Sequence, residues 1–218
     1  MKKSIMVIGL GRFGMTIVKT LSEMTSNVIG VDVDESRVAL ASQYIEHCLV
    51  CDCTKLRTLE ELGARNVDHA VIAIGNNLQS TILATINLKE LGVKKITVRL
   101  DDANYANVLT RLGADEIIIP EEDAGVKFAR TSMSENVLDY YSIDKDYAVE
   151  QISVSNDFKE ISIADLNARN TFDINIVGII RKGKFFLPKG SDIISHDDIV
   201  MAVGKSTKLN KFNKRING

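Results

Sequence analysis

The stretch from Ile5 to Gly14, IMVIGLGRFG, constrains this chain more than any other: a short apolar run gives way to Gly9-x-Gly11-x-x-Gly14, and an amphipathic segment follows to Met24. Three glycines at that spacing, after a strand and at the start of a helix, have separate jobs. The first permits a tight turn, the second lets phosphate oxygens reach the backbone, and the third lets helix and sheet pack closely. Free N–H groups at the helix start then face the phosphates, and the helix dipole favours their negative charge. The next apolar run, NVIGV, leads into VDVD. Its Asp32 stands at about the 20-residue separation expected of a carboxylate that accepts hydrogen bonds from the ribose hydroxyls. A carboxylate there would repel a 2′-phosphate, so NADP is disfavoured. The alternative is a scaffold without ligand in which Asp32 only caps the following helix, although Asp34 is equally able to cap a helix beginning at Glu35.

The same alternation of short apolar runs and longer amphipathic segments continues to about Ile119. Strands are expected at SIMVI, NVIGV, HCLVC, HAVIAI, KITVRL and EIII, and helices at Phe13–Met24, Glu35–Tyr44, Lys55–Leu62, Leu78–Leu91 and Tyr105–Leu112, with Gly63, Gly92 and Gly113 ending three of them. The expected fold is therefore α/β, a Rossmann-like doubly wound parallel sheet. Pro120 breaks the pattern, and a connecting crossover helix is expected over Glu122–Tyr141. Beyond it, AVEQISV, INIVGIIRKG, KFFLP and DIVMAVG read as strands around a helical IADLNARNTF, with a hairpin turn at Gly183. These features predict a first domain over 1–143 and a second, smaller α+β domain over 144–218.

Composition excludes several classes. With 45% hydrophobic and 26% charged residues the chain is an ordinary globular one. Its net charge of −2 argues against a nucleic-acid partner. The longest apolar run, Ile176–Ile180, is far short of the ~20 residues of a membrane helix. The amino-terminal apolar run ends at glycines and Arg12, so it reads as a first strand and the protein as cytosolic; any membrane role is expected to pass through a partner. Cys48, Cys51 and Cys53 lack a second Cys/His pair at ligand spacing and read as reduced structural thiols. The GKST at Gly204–Thr207 lacks the required upstream glycine, since Ile199 stands there, and is not a phosphate loop. The basic tail GKSTKLNKFNKRING reads as a solvated terminal helix.

Arg12 is the unusual residue. Between the second and third glycines it adds a full charge and a fork of donors suited to phosphate oxygens, which tilts the ligand towards ATP or ADP. A dehydrogenase would need a His, Lys or Tyr beside the nicotinamide and a domain to hold substrate. His47 and His69 begin strands and His196 lies in a turn, and no nucleophile elbow or metal-ligand cluster is evident, so the protein is expected not to be an enzyme. An NAD(H)-binding redox sensor or small oxidoreductase remains the alternative.

The segments VIGLGRFG, VDVDE, AVIAIGNNLQSTILAT, LGADEIIIPEEDAG and SENVLDY, followed by SIADLNAR, INIVGIIRKG and DIVMAVG, resemble the RCK/KTN regulators of potassium conductance, in particular cytosolic Ktr/Trk-type subunits, over nearly the whole chain. The resemblance implies a homo-oligomer, a dimer assembling to an octameric ring, docked beneath a membrane-embedded K⁺ transporter that it gates in response to ATP and ADP. Carried over by position, Gly9, Gly11 and Gly14 hold the phosphates, Arg12 reaches the terminal phosphate, Phe13 belongs to the same nucleotide site, and Asp32 holds the ribose. Asp52, Cys53 and Thr54, with Ile74 and Gly75, form the adenine side, although CDCT departs from the small-residue turn common in the family. Arg99 matches a basic position near the nucleotide, and Glu121 an acidic residue that helps hold a divalent cation, Mg²⁺ or Ca²⁺. The second lobe resembles one that takes cyclic di-AMP across a dimer interface, at Ile163, Arg169, Asn175 and Pro188.

Overall fold

The computed structural model describes residues 3–24, 27–75 and 77–218. Two compact units emerge, Met1–Glu121 and Glu122–Gly218.

In the first unit, strands β1 (Ile5–Ile8), β2 (Val28–Asp32), β3 (His47–Val50), β4 (His69–Ile72), β5 (Lys95–Arg99) and β6 (Glu116–Ile118) form one parallel sheet in the order β3-β2-β1-β4-β5-β6. Helices α1 (Arg12–Met24), α2 (Glu35–Ala41), α3 (Leu56–Glu61), α4 (Leu78–Glu90) and α5 (Ala106–Leu112) connect them. Because side chains alternate along a strand, β1 feeds two cores. Met6 and Ile8 pack with Leu59, Leu88 and Leu109 of α3, α4 and α5, whereas Val7 packs with Val18 of α1 and Val38 and Ala41 of α2. Burial on both faces explains why the central strands are nearly continuous apolar runs. The expected doubly wound sheet is thus present, with each strand and helix within a few residues of its expected position, and the three helix-ending glycines all have positive φ.

The segment after Pro120 departs from expectation. Helix α6 spans Pro120–Ser132, and strand β7 (Val137–Ser142) replaces the rest of the expected Glu122–Tyr141 helix. In β7 Val137 and Tyr140 are buried and Leu138 and Tyr141 exposed; the buried positions stand three apart because the pairing register shifts between Val137 and Asp139, and the aromatic residues suit a half-buried strand. β7 pairs antiparallel with β8 (Tyr147–Ser153), so residues from Glu122 onward group with the second unit, whereas the sequence pattern put the division near residue 143.

The second unit contains an antiparallel sheet in the order β11-β10-β13-β8-β7, with β10 (Ile174–Arg181), β11 (Lys184–Phe186) and β13 (Ile199–Lys205). A two-stranded ladder joins β9 (Ile161–Ser162) to β12 (Ile193–Ile194). The β10–β11 hairpin turns through Lys182 and Gly183, both at positive φ, as a two-residue turn of type I′ requires. The expected helical IADLNARNTF is two short helices, α7 (Ile163–Leu166) and α8 (Ala168–Phe172), separated by Asn167 at φ 48°. The tail forms α9 (Ser206–Asn217), but it is not solvated all round: Leu209, Phe212 and Ile216 are buried, and Phe212 meets the edge of Phe172 at 5.7 Å. Its Lys and Arg residues occupy the remaining surface, as on any amphipathic helix. GKST straddles the end of β13 and the start of α9.

Candidate nucleotide site

A cavity of about 860 Å³ opens where the strand order reverses, between β1 and β4, beyond the carboxyl ends of the strands. In open α/β sheets this crevice is where ligands bind. Gly9 has φ +94°, and a Cβ there would lie 2.7 Å from the carbonyl of Ala73, just beyond β4. A Cβ on Gly14 would overlap the carbonyl oxygen of Gly9. Both glycines are therefore required by backbone packing. Gly11 differs: a Cβ would meet no protein atom within 4 Å, and the residue borders the cavity. Its bare backbone leaves a cradle for an external group. The first α1 turn carries no acidic side chain, and its N–H groups have no intrahelical acceptor. Arg12 is exposed at the cavity rim and forms no ion pair among the described residues. The local chemistry fits an anion.

Asp32 is 6% exposed at the end of β2. Its Oδ2 accepts the Leu10 N–H at 2.6 Å and its Oδ1 the Asp34 N–H at 3.0 Å. Helix α2 is capped by Asp34, whose carboxylate accepts from the Ser36 and Arg37 amides, so capping does not account for Asp32. A carboxylate offers about four lone-pair sites, which leaves acceptor capacity on Asp32 for a ligand hydroxyl.

The remaining expected residues converge on the same cavity. Phe13, Asp52, Cys53, Thr54, Ile74, Gly75, Arg99 and Glu121 all line it; only Gly14, the packing glycine, does not. Asp52 Oδ1 accepts the Thr54 hydroxyl at 2.7 Å and the Thr54 N–H at 3.0 Å, which holds its pKa below the usual carboxylate range. Arg99 pairs with Asp101 and with Glu121, each at 2.6 Å, and its buried Nε has no hydrogen-bond partner among the described residues. Hydrogen bonds from its own backbone N–H and from Arg99 lower the Glu121 pKa. No cluster of three or more His, Cys, Asp or Glu side chains among the described residues could hold a metal. Sequence reasoning missed Arg37, whose Nη1 lies 3.5 Å from Asp32, and Asn77 and Ser80 at the start of α4, all lining the cavity. Arg37 lies in the first turn of α2, where its own amide donates to the Asp34 cap.

The histidines stand apart from the cavity lining. His69 Nε2 lies 2.8 Å from Thr97 Oγ1, and burial lowers its pKa.

In the second unit, Ile163, Arg169 and Asn175 line a cavity of about 200 Å³ together with Asn167. Pro188 is not among its lining residues.

The TrkA-N domain family matches residues 5–120 and the TrkA-C domain family residues 152–217. The chain belongs to the TrkA-N/TrkA-C family. Among relatives of this TrkA-type chain, Ktr system potassium uptake protein C of Bacillus subtilis (strain 168) is 38% identical over 218 residues, 99% of this chain and 98% of its own. Ktr system potassium uptake protein A of the same organism is 36% identical over 211 residues, 96% of this chain and 95% of its own. The solved GsuK channel superposes with a TM-score of 0.72 at 12% identity over all of this chain, which spans 40% of that structure. At that identity the likeness speaks to the TrkA-type fold alone. Among the described residues no helix is long and apolar enough to cross a membrane.

Proposed function

We propose that this chain is the regulatory subunit of a membrane K⁺ transporter and gates it by binding ATP or ADP in the glycine-motif cavity. Full-length similarity to proteins named for potassium uptake supports the first half. Arg12 carries the second: an exposed cation without an ion pair among the described residues, beside the bare backbone of Gly11, is suited to the extra charge of a terminal phosphate. The cavity lining among the described residues contains no His, Lys or Tyr to serve as a general acid or base for hydride transfer, which favours sensing over catalysis.

The nucleotide gates through a difference in its affinity for two assembly states, since equal affinity shifts nothing. Arg12 supplies that difference by meeting the γ-phosphate. Glu121 is a single carboxylate already held by Arg99, so a divalent cation there takes its other ligands from phosphate oxygens or a second copy of the chain. Self-assembly to a dimer and then a ring belongs to this reading; exposed Val126 and Phe128 on α6 support a contact between copies. Cyclic di-AMP is the proposed ligand of the second cavity. At about 200 Å³ that cavity is below the ~300–1,000 Å³ of a typical small-molecule pocket, so a second copy completes it.

The test is to identify the nucleotide released on denaturing the purified protein and to titrate ATP, ADP and NADH by calorimetry. Arg12→Ala is expected to weaken ATP more than ADP. Equal loss for both removes the γ-phosphate role, and recovery of NAD(H) replaces this reading with a redox sensor.

A further inference from the structure

Cys51 and Cys53 follow the last residue of β3 and precede α3, outside any regular element. As residues two apart on the same side of the chain, both pack against the core shared by α3 and α4. Their sulfurs are 3.8 Å apart, and both residues line the glycine-motif cavity. Residues two apart in an extended chain have Cα atoms separated by at most about 7 Å, close to the 4.4–6.8 Å range over which disulfides form. To reach the bonding distance of about 2.0 Å the sulfurs approach by roughly 1.8 Å, a movement that side-chain rotation and a small loop shift supply. Cys51 is half-buried and meets the cavity, whereas Cys53 is 5% exposed.

We propose that Cys51 and Cys53 are a modification site: they close reversibly to an intramolecular disulfide in the cavity wall, and the closed form opposes nucleotide binding. The co-reactant is a low-molecular-weight disulfide. The Cys51 thiolate attacks one of its sulfurs, the small S–S bond breaks, and one small thiol leaves with a solvent proton. Cys53 then gives up its proton and attacks the Cys51 sulfur of the mixed disulfide. The Cys51–Cys53 bond forms, and the second small thiol departs with that proton. Two protein thiols are oxidised and one small disulfide is reduced to two thiols; excess dithiol reverses the exchange. The order of attack follows from access, since Cys51 is half-buried whereas Cys53 is 5% exposed; the shared hydrogen bond and burial push the Cys53 thiol up.

Closure encircles Asp52, whose carboxylate fixes the hydroxyl and N–H of Thr54, so the wall cannot keep its shape. This effect on binding rests on the nucleotide reading above. Cys48 is the internal control, since its Sγ lies 3.7 Å from the Ile45 carbonyl and packs in the other core, with α1 and α2.

The experiment uses the full chain carrying Cys48→Ser, treated with 2-hydroxyethyl disulfide, alkylated and weighed without reduction. The expected product has lost two hydrogens and takes no alkyl group, and Cys53→Ser in the same background stops at a mixed disulfide on Cys51. A stable mixed adduct with Cys53 present, or disulfide-linked dimers, overturns the pairing. Oxidation is expected to weaken ATP binding on the order of tenfold, restored by dithiothreitol; unchanged affinity overturns the coupling. If the reduced protein binds no adenine nucleotide, the nucleotide reading fails, while the mass measurement still decides the disulfide on its own.

Discussion

Replacing Asp32 by Ala removes a group with two structural hydrogen bonds before any ligand arrives. The Leu10 N–H, on a residue 2% exposed, loses a charged acceptor at 2.6 Å, and the Asp34 N–H loses one at 3.0 Å. A buried bond to a charged group contributes about 1.5–3 kcal/mol and a partly exposed one about 0.5–1 kcal/mol, so the loss is about 2–4 kcal/mol. The Arg37 contact adds little, because that side chain is half exposed and screened. For a unit of this size the thermal midpoint falls on the order of 10 °C. Asp32→Asn is no gentler, since its amide nitrogen necessarily faces one of two N–H donors. Both variants are expected to unfold earlier than wild type in thermal melts followed by circular dichroism, without ligand. Midpoints within about 2 °C of wild type would refute the argument that Asp32 holds the Leu10 turn. The same reasoning governs binding experiments: lost ATP affinity in Asp32→Ala reports a ribose contact only if the melt shows the variant still folded at the assay temperature.

Two further outcomes concern the second unit. Glu150 on β8 is 4% exposed, its Oε2 has no hydrogen-bond partner among the described residues, and desolvation raises its pKa despite the opposing Arg130 charge. A carboxyl with a raised folded pKa favours folding below its unfolded value near 4.5 and loses that contribution as pH rises through the folded one. Glu150→Gln is therefore expected to raise the thermal midpoint at pH 7.5 and to match wild type near pH 4; a lower midpoint at pH 7.5 contradicts the assignment. Phe212→Ala, at a fully buried position of α9, is expected to destabilise the second unit by about 3–5 kcal/mol in urea denaturation, and a loss under about 1 kcal/mol would mean that the helix does not pack.

How much of this was legible in the sequence depended on how many independent signals agreed. For the glycine turn, strand period, glycine spacing and a distant aspartate all point to one crevice, and of the residues expected there all but Gly14 line the cavity. For β7 the signals conflicted. Glu122 to Tyr141 is rich in helix formers, and the β-branched and aromatic residues of VLDYY come without a period-two alternation because the register shifts between Val137 and Asp139; pairing with β8 decides its conformation. In α9 the excess of basic residues suggested solvation, yet Leu209, Phe212 and Ile216 recur at helical spacing and mark the buried face. Arg37 and the side chains at the start of α4 escaped because nothing in a linear pattern reports which residues a cap or a helix start turns towards a crevice.

The Arg99 corner has a further consequence. One guanidinium faces two carboxylates, Asp101 and Glu121, so that corner is negative by one charge, while Arg12 at the same cavity forms no ion pair among the described residues. Phosphate charge beyond what Arg12 meets is then left for mobile cations to cover. The spacing between affinities for ligands of different phosphate number is thus a function of the salt in which they are measured.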